Sequence, residues 1–245
     1  MRNKKDIGSE YCLIGWDKMR GLSDFEKYKI LRPIIGGAEY DENEFPIIRK
    51  TVLDENEWTG IKAVNLQNAR PSPMNQSSIL LMFSYDSRLI ALWNNPLKKV
   101  PLFQSYYAVA SPDFSIYPGM NINDIRQNIY MSRWLGRTWQ NYGCKVYPTI
   151  GWYKSDTYDI CFSAVEKGSI VVISTLGCLS NKEVFLQGFK EMKKRLQPSL
   201  IVVFGEMIDG MTGKFVNFRY QDSFRTKYYQ FNLDGISQIY EISEA

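Results

Sequence analysis

GSIVVISTLGCLSNKEVFLQGFKEMKKRLQPSLIVVFG, residues 168–205, places two apolar runs on either side of a helical pattern. The runs from Ile170 to Ser174 and from Leu200 to Phe204 are continuous rather than alternating, which is typical of strands buried on both faces of a parallel sheet. Between them, apolar residues recur every three or four positions, which predicts an amphipathic helix. A strand, a helix and a strand at these separations predict a right-handed crossover between two parallel strands.

The predicted helix carries signals for its start and its end. Ser180 and Glu183 have the spacing of a capping box, and Pro198 follows the last apolar position. The inward-facing stripe of this helix is predicted to consist of Phe185, Phe189, Met192 and Leu196.

The same alternation of apolar runs and helical patterns extends toward the N-terminus. Three further strands are predicted at Ile79 to Phe83, Tyr106 to Ala110 and Lys145 to Ile150. A helix is predicted to start at Ile122 behind an Asn121 cap and to end at Gly143. The predicted fold class is α/β, with a parallel-sheet core built from βα units that is either barrel-like or open. Further strands could lie within residues 1–75 or 215–232.

The chain is interpreted as a single domain over residues 1–245. Residues 1–75 form an irregular N-terminal subregion, residues 76–206 form the βα core, and residues 207–245 form a C-terminal hairpin or tail. In the segment 214–233, cationic and aromatic residues alternate, which suits a half-buried hairpin or a nucleic-acid surface. The hairpin is the preferred interpretation.

Composition permits several partners and requires none of them. The 245 residues carry a formal net charge of +4, too small a surplus to establish a nucleic-acid or membrane partner. No run approaches the length of about 18 apolar residues that a membrane span requires, and the basic start lacks the apolar stretch of a signal peptide. We therefore expect a cytoplasmic protein without a membrane partner.

The absence of histidine narrows the chemistry. A Ser-His-Asp triad, a Cys-His pair and a His-containing zinc site are all excluded. The four cysteines, Cys12, Cys144, Cys161 and Cys178, include no C-x-x-C pair, and we expect buried free thiols. A general base must then be a carboxylate, Lys, Tyr or Cys.

Candidate site residues follow the predicted strands, because ligands of parallel α/β sheets bind outside the carboxyl ends of the strands. Two carboxylates, Asp113 and Glu206, are the candidate catalytic residues, since a pair facing one cleft could divide acid and base roles or hold Mg²⁺. Asp209 is a weaker third candidate. The candidate ligand-binding residues are Asn94 and Asn95 after LIALW, Ser115, Trp152, Ser174, Thr175 and Gly177.

Each of these positions also has a simpler interpretation. Asp113 follows Ser111 and Pro112, which end the strand, and its carboxylate could merely satisfy turn amides. Gly177 lies in a turn before a predicted helix, where free backbone N–H groups could bind a phosphate. The simpler interpretation is that Ser180 caps the N-terminus of this helix and no ligand binds. Arg133 and Arg137, on the helix beside Trp134, are interpreted as surface groups.

Five motifs in order resemble one known family. LWNNP at 92–96, SPDFS at 111–115, SRWLGRTWQNYGCKVYPTIGW at 132–152, CFSAVEKGSIVVISTLGC at 161–178, and the helix and strand that end at Gly205 resemble the domain-of-unknown-function family 4417. The resemblance covers about residues 79–206. Proteins of this kind are encoded by bacteria, phages and plasmids, so the resemblance implies a single domain on a mobile element. It assigns no catalytic residue.

Three hypotheses for function remain open from the sequence. The first is a phage or plasmid accessory protein that acts on a phosphate-containing substrate, a nucleic acid or a nucleotide, through carboxylates at the rim of the sheet. The second is a non-catalytic protein that sequesters a small ligand or inhibits a host protein. The third is a glycoside-acting enzyme, because a carboxylate pair and an aromatic residue such as Trp152 also suit sugars.

Overall fold

A computed structural model describes residues 32–219 and 238–243 of the chain. Its strands are β1 (Lys62–Asn65), β2 (Ser78–Leu81), β3 (Ala108–Ala110), β4 (Val146–Tyr147), β5 (Ile170–Ser174), β6 (Leu200–Phe204), β7 (Gly213–Phe218) and β8 (Tyr240–Ile242). Its α-helices are α1 (Asp86–Asn94), α2 (Val100–Phe103), α3 (Ile122–Asn141), α4 (Tyr158–Cys161) and α5 (Lys182–Leu196). Short 3₁₀ turns connect several of these elements.

The strands lie side by side in chain order. β1 to β4 form one parallel sheet, and β5 to β7 form a second parallel set to which β8 adds an antiparallel edge. A parallel bridge between Thr149 and Val172 joins the two sheets, supported by the Ile150 N–H, which donates to the Val172 carbonyl at 2.8 Å. Each crossover therefore moves to the next strand, which is the winding that α/β barrels use.

The row of strands curls around a shared interior. Phe83, which follows β2, stacks on Phe204 of β6 with ring centroids 5.0 Å apart. Lys214 of β7 pairs with Glu55, which precedes β1, at 2.7 Å. Strands from the two halves of the row therefore face each other, which confirms the predicted α/β core and gives it a barrel-like curvature.

Both faces of the central strands are buried, which explains their continuous apolar runs. On β6, Leu200, Val202 and Phe204 pack toward the shared interior with residues of β1 to β4. The alternate residues Ile201 and Val203 pack outward against α5. The stripe of α5 is buried as predicted, at Phe185, Phe189, Met192 and Leu196.

The predicted ends of α3 are confirmed, whereas the predicted start of α5 is wrong. Asn121 caps α3 by accepting the N–H of Asn123 at 2.9 Å, and Gly143 follows the end of that helix with a positive φ of 84°. The capping box predicted for α5 is wrong. Asn181 occupies the cap position without a side-chain bond, because a 3₁₀ turn at Leu179–Asn181 precedes the helix.

Three strands, β1, β7 and β8, lie outside the five that the apolar runs predicted. β1 falls within residues 1–75 and pairs with β2 over four residues, so this part of the N-terminal subregion belongs to the core sheet. β7 starts the predicted C-terminal hairpin, and its antiparallel partner is β8. The remaining tail residues of the predicted hairpin, 220–233, lie outside the described residues.

Cysteines and membrane spans can be assessed for the described part of the chain. Cys144 and Cys161 are buried free thiols, as predicted, whereas Cys178 is partly exposed; Cys12 lies outside the described residues. None of the helices within residues 32–219 and 238–243 has the length and apolar character that crossing a membrane requires.

Candidate functional site

A cavity of about 550 Å³ opens at the carboxyl ends of the strands. Loops that follow β1 to β5 provide most of its walls, and α5 closes one side. Its polar lining consists of Gln67, Ser84, Asp86, Asp113, Ser115, Ser174 and Cys178, and its aromatic lining of Phe83, Tyr85, Phe114, Tyr117, Trp152 and Phe185. The volume is in the range of pockets that bind small ligands.

Asp113 is the most perturbed acid of the cavity. Burial in the cavity wall raises the pKa of its carboxyl to about 7, and the nearby Asp86 carboxylate raises it further in the same direction. Within the described residues, no hydrogen-bond donor contacts this carboxylate. The pKa is raised because the charged form loses water and gains no compensating partner.

Asp86 provides the second carboxylate of the cavity. It is the first residue of α1, and its Oδ1 accepts the backbone N–H of Ser115 at 3.1 Å. This bond ties the loop after β3 to the helix that follows β2. It leaves three of the four carboxylate oxygens of Asp86 and Asp113 without a donor from the described residues.

Trp152 forms part of the aromatic wall. Its Nε1–H donates to the Phe185 carbonyl at 3.2 Å, and its ring lies 5.1 Å from the Phe185 ring centroid. Gly188 of α5 leaves room for the indole at the point of contact. The position of Trp152 therefore depends on a residue of another element that lacks a side chain.

A buried polar network supports the backbone behind Asp113 and Trp152. The Ser111 hydroxyl lies 3.0 Å from the Ser132 hydroxyl of α3 and accepts the Thr149 N–H at 2.9 Å. The Thr149 hydroxyl donates to the Ser111 carbonyl. The ends of β3 and β4 are thus linked to each other and to α3, close to the residues that line the cavity.

Arg133 extends this network, and its predicted surface position is wrong. The side chain is fully buried and donates to the carbonyls of Thr149, Cys161 and Ser163 at 3.0, 2.9 and 3.0 Å. Arg137 is also buried rather than on the surface, with 5% of its area exposed. The middle of α3 is enclosed on all sides, so the helix has no solvent-facing stripe there.

The structure brings four of the nine predicted site residues to the cavity. Asp113, Ser115, Trp152 and Ser174 line it. Thr175 is buried without lining the cavity, and Gly177 lies exposed in the following turn. The strand expected before Asn94 and Asn95 is wrong: LIALW belongs to α1, so both residues stand at a helix end.

Glu206 is not brought to Asp113. Its carboxylate is exposed and faces Arg219, with the Oε2 and Nε atoms 3.7 Å apart. It is absent from the residues that line the cavity, as is Asp209. The second carboxylate beside Asp113 is Asp86, which sequence reasoning did not include among the candidate residues.

A sequence signal for Asp86 did exist. Asp86 follows a buried strand by a few residues, as Asp113 does, and Ser84 and Tyr85 precede it in FSYDS. The Ser84 hydroxyl is buried at the cavity and makes no hydrogen bond within the described part of the chain. Both loops therefore place a polar group with unused hydrogen-bonding capacity against the same space.

The lining carries negative charge without a balancing cation. None of the described residues that line the cavity is Lys or Arg. Across residues 32–219 and 238–243, no group of three or more acidic, histidine or cysteine side chains is placed to hold a metal ion. A ligand that contacts the two carboxylates must therefore supply hydrogen-bond donors, a proton or a cation.

Comparison with known proteins identifies phage relatives. The profile of the family described as "Domain of unknown function (DUF4417)" matches residues 44–222. The chain is 32% identical to the Gene 1 protein of Mycobacterium phage D29 over 167 residues, which cover 67% of this chain and 61% of that protein. It is 33% identical to the Gene 1 protein of Mycobacterium phage L5 over 150 residues, which cover 60% of this chain and 66% of that protein.

These matches limit what can be transferred. The chain spans less than two thirds of the length of either phage protein. No solved structure matches the chain.

Proposed function

The chain belongs to the DUF4417 family, and we propose that it is a mobile-element accessory enzyme that performs acid–base chemistry on a phosphate-containing substrate, a nucleotide or a nucleic acid. Asp113 transfers the proton, and Asp86 is the second carboxylate of the site. In this proposal Asp86 takes the role that the sequence had suggested for Glu206.

The observation that carries the proposal is the placement of the Asp86 and Asp113 carboxylates in the lining of one cavity, with three of their four oxygens free of hydrogen bonds from the described residues. Burial there raises the pKa of Asp113 to about 7. A group with this pKa is present in both protonation states near neutral pH, so it can donate a proton and later accept one. Raised carboxyl pKa values in clefts are associated with catalytic sites. The cleft position and the neighbouring Asp86 support a functional role over a simple turn role.

The aromatic walls support a substrate that carries a planar ring. Phe83, Phe114 and Trp152 line the cavity, and bases stack on aromatic side chains without needing a specific sequence. Tyr85 and Tyr117 also line it while remaining 62% and 59% exposed, which places them at its opening. The volume of about 550 Å³ is sufficient for a single base, and the exposed tyrosines offer a surface for neighbouring parts of a strand.

A magnesium ion is a further element to test. Mg²⁺ commonly binds one or two carboxylates together with substrate phosphates and water. Asp86 and Asp113 would hold it, because three of their four oxygens accept no hydrogen bond from the described residues. The ion would neutralise the carboxylates and attract a phosphate. Protonation of Asp113 would compete with it.

A glycoside-acting enzyme is the second candidate. The carboxylate pair, Trp152 and the lack of a lining cation favour a neutral sugar. A non-catalytic binding protein would use the same cavity without turnover.

The test combines binding and turnover. Purified protein is incubated with nucleotides, single-stranded oligonucleotides and aryl glycosides, each with and without Mg²⁺, and products are separated by chromatography. We expect Asp113→Asn to reduce turnover about 100-fold or more while ligand binding persists. Asp124→Asn, which changes an exposed acid in the first turn of α3, is the matched control.

Each outcome selects one hypothesis. Turnover that is unaffected by Asp113→Asn would refute the acid–base role. If the wild type binds a ligand but does not convert it, the hypothesis of a non-catalytic binding protein would remain. Turnover of glycosides alone would favour the second candidate.

A further inference from the structure

The charges of the cavity determine where an anionic group of a ligand can lie. Asp86 and Asp113 place negative charge at one part of the wall, and the described lining has no Lys or Arg to offset it. A phosphate placed against these carboxylates would be repelled. In the absence of a bound Mg²⁺ ion, a phosphate-containing ligand must direct its phosphate away from the two carboxylates, toward a cation outside the wall.

Arg88 does not line the cavity itself, but its guanidinium contacts a residue that does. Its Nη1–H donates to Oε1 of Gln67 at 3.0 Å, and Gln67 lines the cavity. Among the described residues, no other Lys or Arg side chain donates a hydrogen bond to a side chain of the lining. Gln67 thus holds the guanidinium at the edge of the cavity where the loop after β1 meets α1.

The guanidinium has donors to spare. Within the described residues, Gln67 is the one hydrogen-bond partner of its side chain, and no carboxylate lies within ion-pair distance. An arginine has five N–H donors, and its planar fork matches phosphate oxygens.

The position of Arg88 has no helix-stabilising explanation. It lies in the first turn of α1, two residues after Asp86. A cation there opposes the helix dipole, which favours acidic residues in the first turn and basic residues in the last. An anion bound beside Arg88 would remove this unfavourable interaction.

We propose that Arg88 binds the phosphate of the substrate, and that the substrate is a small phosphomonoester whose ring carries hydroxyl or amino donors. The ring lies between the aromatic walls, its donors contact Asp86 and Asp113, and its phosphate lies at Arg88. This inference rests on the proposed function and narrows its substrate class. A nucleoside monophosphate and a sugar phosphate share this chemistry.

The test compares ligands that differ only in the phosphate. Isothermal titration calorimetry measures the binding of the four 5′-ribonucleoside monophosphates, their nucleosides, ribose 5-phosphate and ribose. It is applied to the wild type, Arg88→Gln, Arg88→Lys and Arg126→Gln. Arg126 is the matched control, because it is an exposed arginine whose Nη1–H also donates to one amide oxygen, that of Asn43, at 2.9 Å.

We expect the wild type to bind a monophosphate about tenfold more tightly than its nucleoside, because a charge-assisted bond is added. Arg88→Gln should lose this preference and leave nucleoside binding unchanged, and Arg88→Lys should retain part of it. Arg126→Gln should behave as the wild type. The ribose 5-phosphate arm separates sugar phosphates from nucleotides.

The outcomes distinguish this inference from the proposed function. Equal affinity of the wild type for nucleosides and monophosphates, or an unchanged preference in Arg88→Gln, would overturn the role of Arg88 and leave the proposed function standing. If no nucleoside, nucleotide or sugar phosphate binds, the inference about a small phosphomonoester is overturned, and the proposed function is then decided by the turnover test on single-stranded oligonucleotides. Unchanged circular dichroism of each variant confirms that folding is not the cause.

Discussion

Trp152 lies on Gly188 so closely that a Cβ at Gly188 would stand 2.1 Å from Trp152 Cδ1 and 2.2 Å from its Nε1. Trp152 belongs to the loop after β4, and Gly188 lies in the middle of α5. This contact sets the aromatic wall of the cavity, because the indole can occupy its place only where the helix has no side chain.

Gly188→Ala should therefore destabilise the protein, although alanine is the better helix former. The Trp152 ring is held by its hydrogen bond to the Phe185 carbonyl. Overpacking against it costs typically 1–3 kcal/mol, and the gain in helix propensity offsets about 1 kcal/mol of that. We expect a net loss of about 1 kcal/mol in urea unfolding and a changed tryptophan emission spectrum. In a Trp152→Ala background a Cβ at residue 188 no longer overlaps an indole ring, so Gly188→Ala should increase the free energy of unfolding. Destabilisation of equal size in both backgrounds would contradict the contact.

Stability should depend on pH through Asp113. Its pKa rises from 3.8 to about 7 on folding, so the folded protein keeps a proton that the unfolded chain releases. Stability from this group is present at about pH 4 and is lost as pH rises to about 7. Asp113→Asn removes this dependence, and urea unfolding should find the variant more stable than wild type at pH 8 and nearly equal at pH 4. Asp124→Asn should show no such difference. A variant less stable than wild type at pH 8 would refute the raised pKa.

Asp86→Asn should lower the pKa of Asp113. The Asp86 carboxylate raises that pKa by repulsion, and the substituted amide keeps an oxygen that can accept the Ser115 N–H. The pKa should remain above its ordinary value, because burial is the larger cause. Carbon-13 NMR titration of the Asp113 carboxyl measures the change, with Asp124→Asn as the control. An unchanged or higher pKa would show that the two carboxylates do not interact.

Arg133→Met should destabilise the protein strongly. The change leaves the carbonyls of Thr149, Cys161 and Ser163 buried without their donor, and each unpaired group costs about 1–3 kcal/mol. We expect a loss of about 3 kcal/mol or more in urea unfolding, and a smaller loss for Arg133→Lys. The exposed Arg126→Met should change little. A loss below 1 kcal/mol for Arg133→Met would mean that water replaces the guanidinium.

Local patterns predicted most of the scaffold. The five apolar runs all contain strands, because strands covered on both faces need continuous apolar sequence. Asn121 and Gly143 marked the ends of α3 correctly, since caps depend on the conformation of one or two residues. The failure at LIALW has an equally local reason: a short apolar run suits a buried strand and a buried helix alike.

Local sequence patterns did not predict which charged residues are buried. Arg133 was assigned to the surface because charged residues are rarely fully buried unless they have partners. Its partners are carbonyls that lie 16 to 30 residues further along the chain. Only the packed arrangement of α3 against the ends of β4 and α4 brings them within reach of one guanidinium.

The sequence by itself determined that parallel strands place polar residues at one end of the sheet. The reason is that the burial of a strand and the position of its end both depend on residues that are close together in the chain. The tertiary structure decided which of those residues meet. Asp86 lies beside Asp113 and Glu206 does not, since loops of adjacent strands meet at the same part of a curved rim. The curvature arises from packing across the interior, as between Phe83 and Phe204, and no local pattern contains that distance.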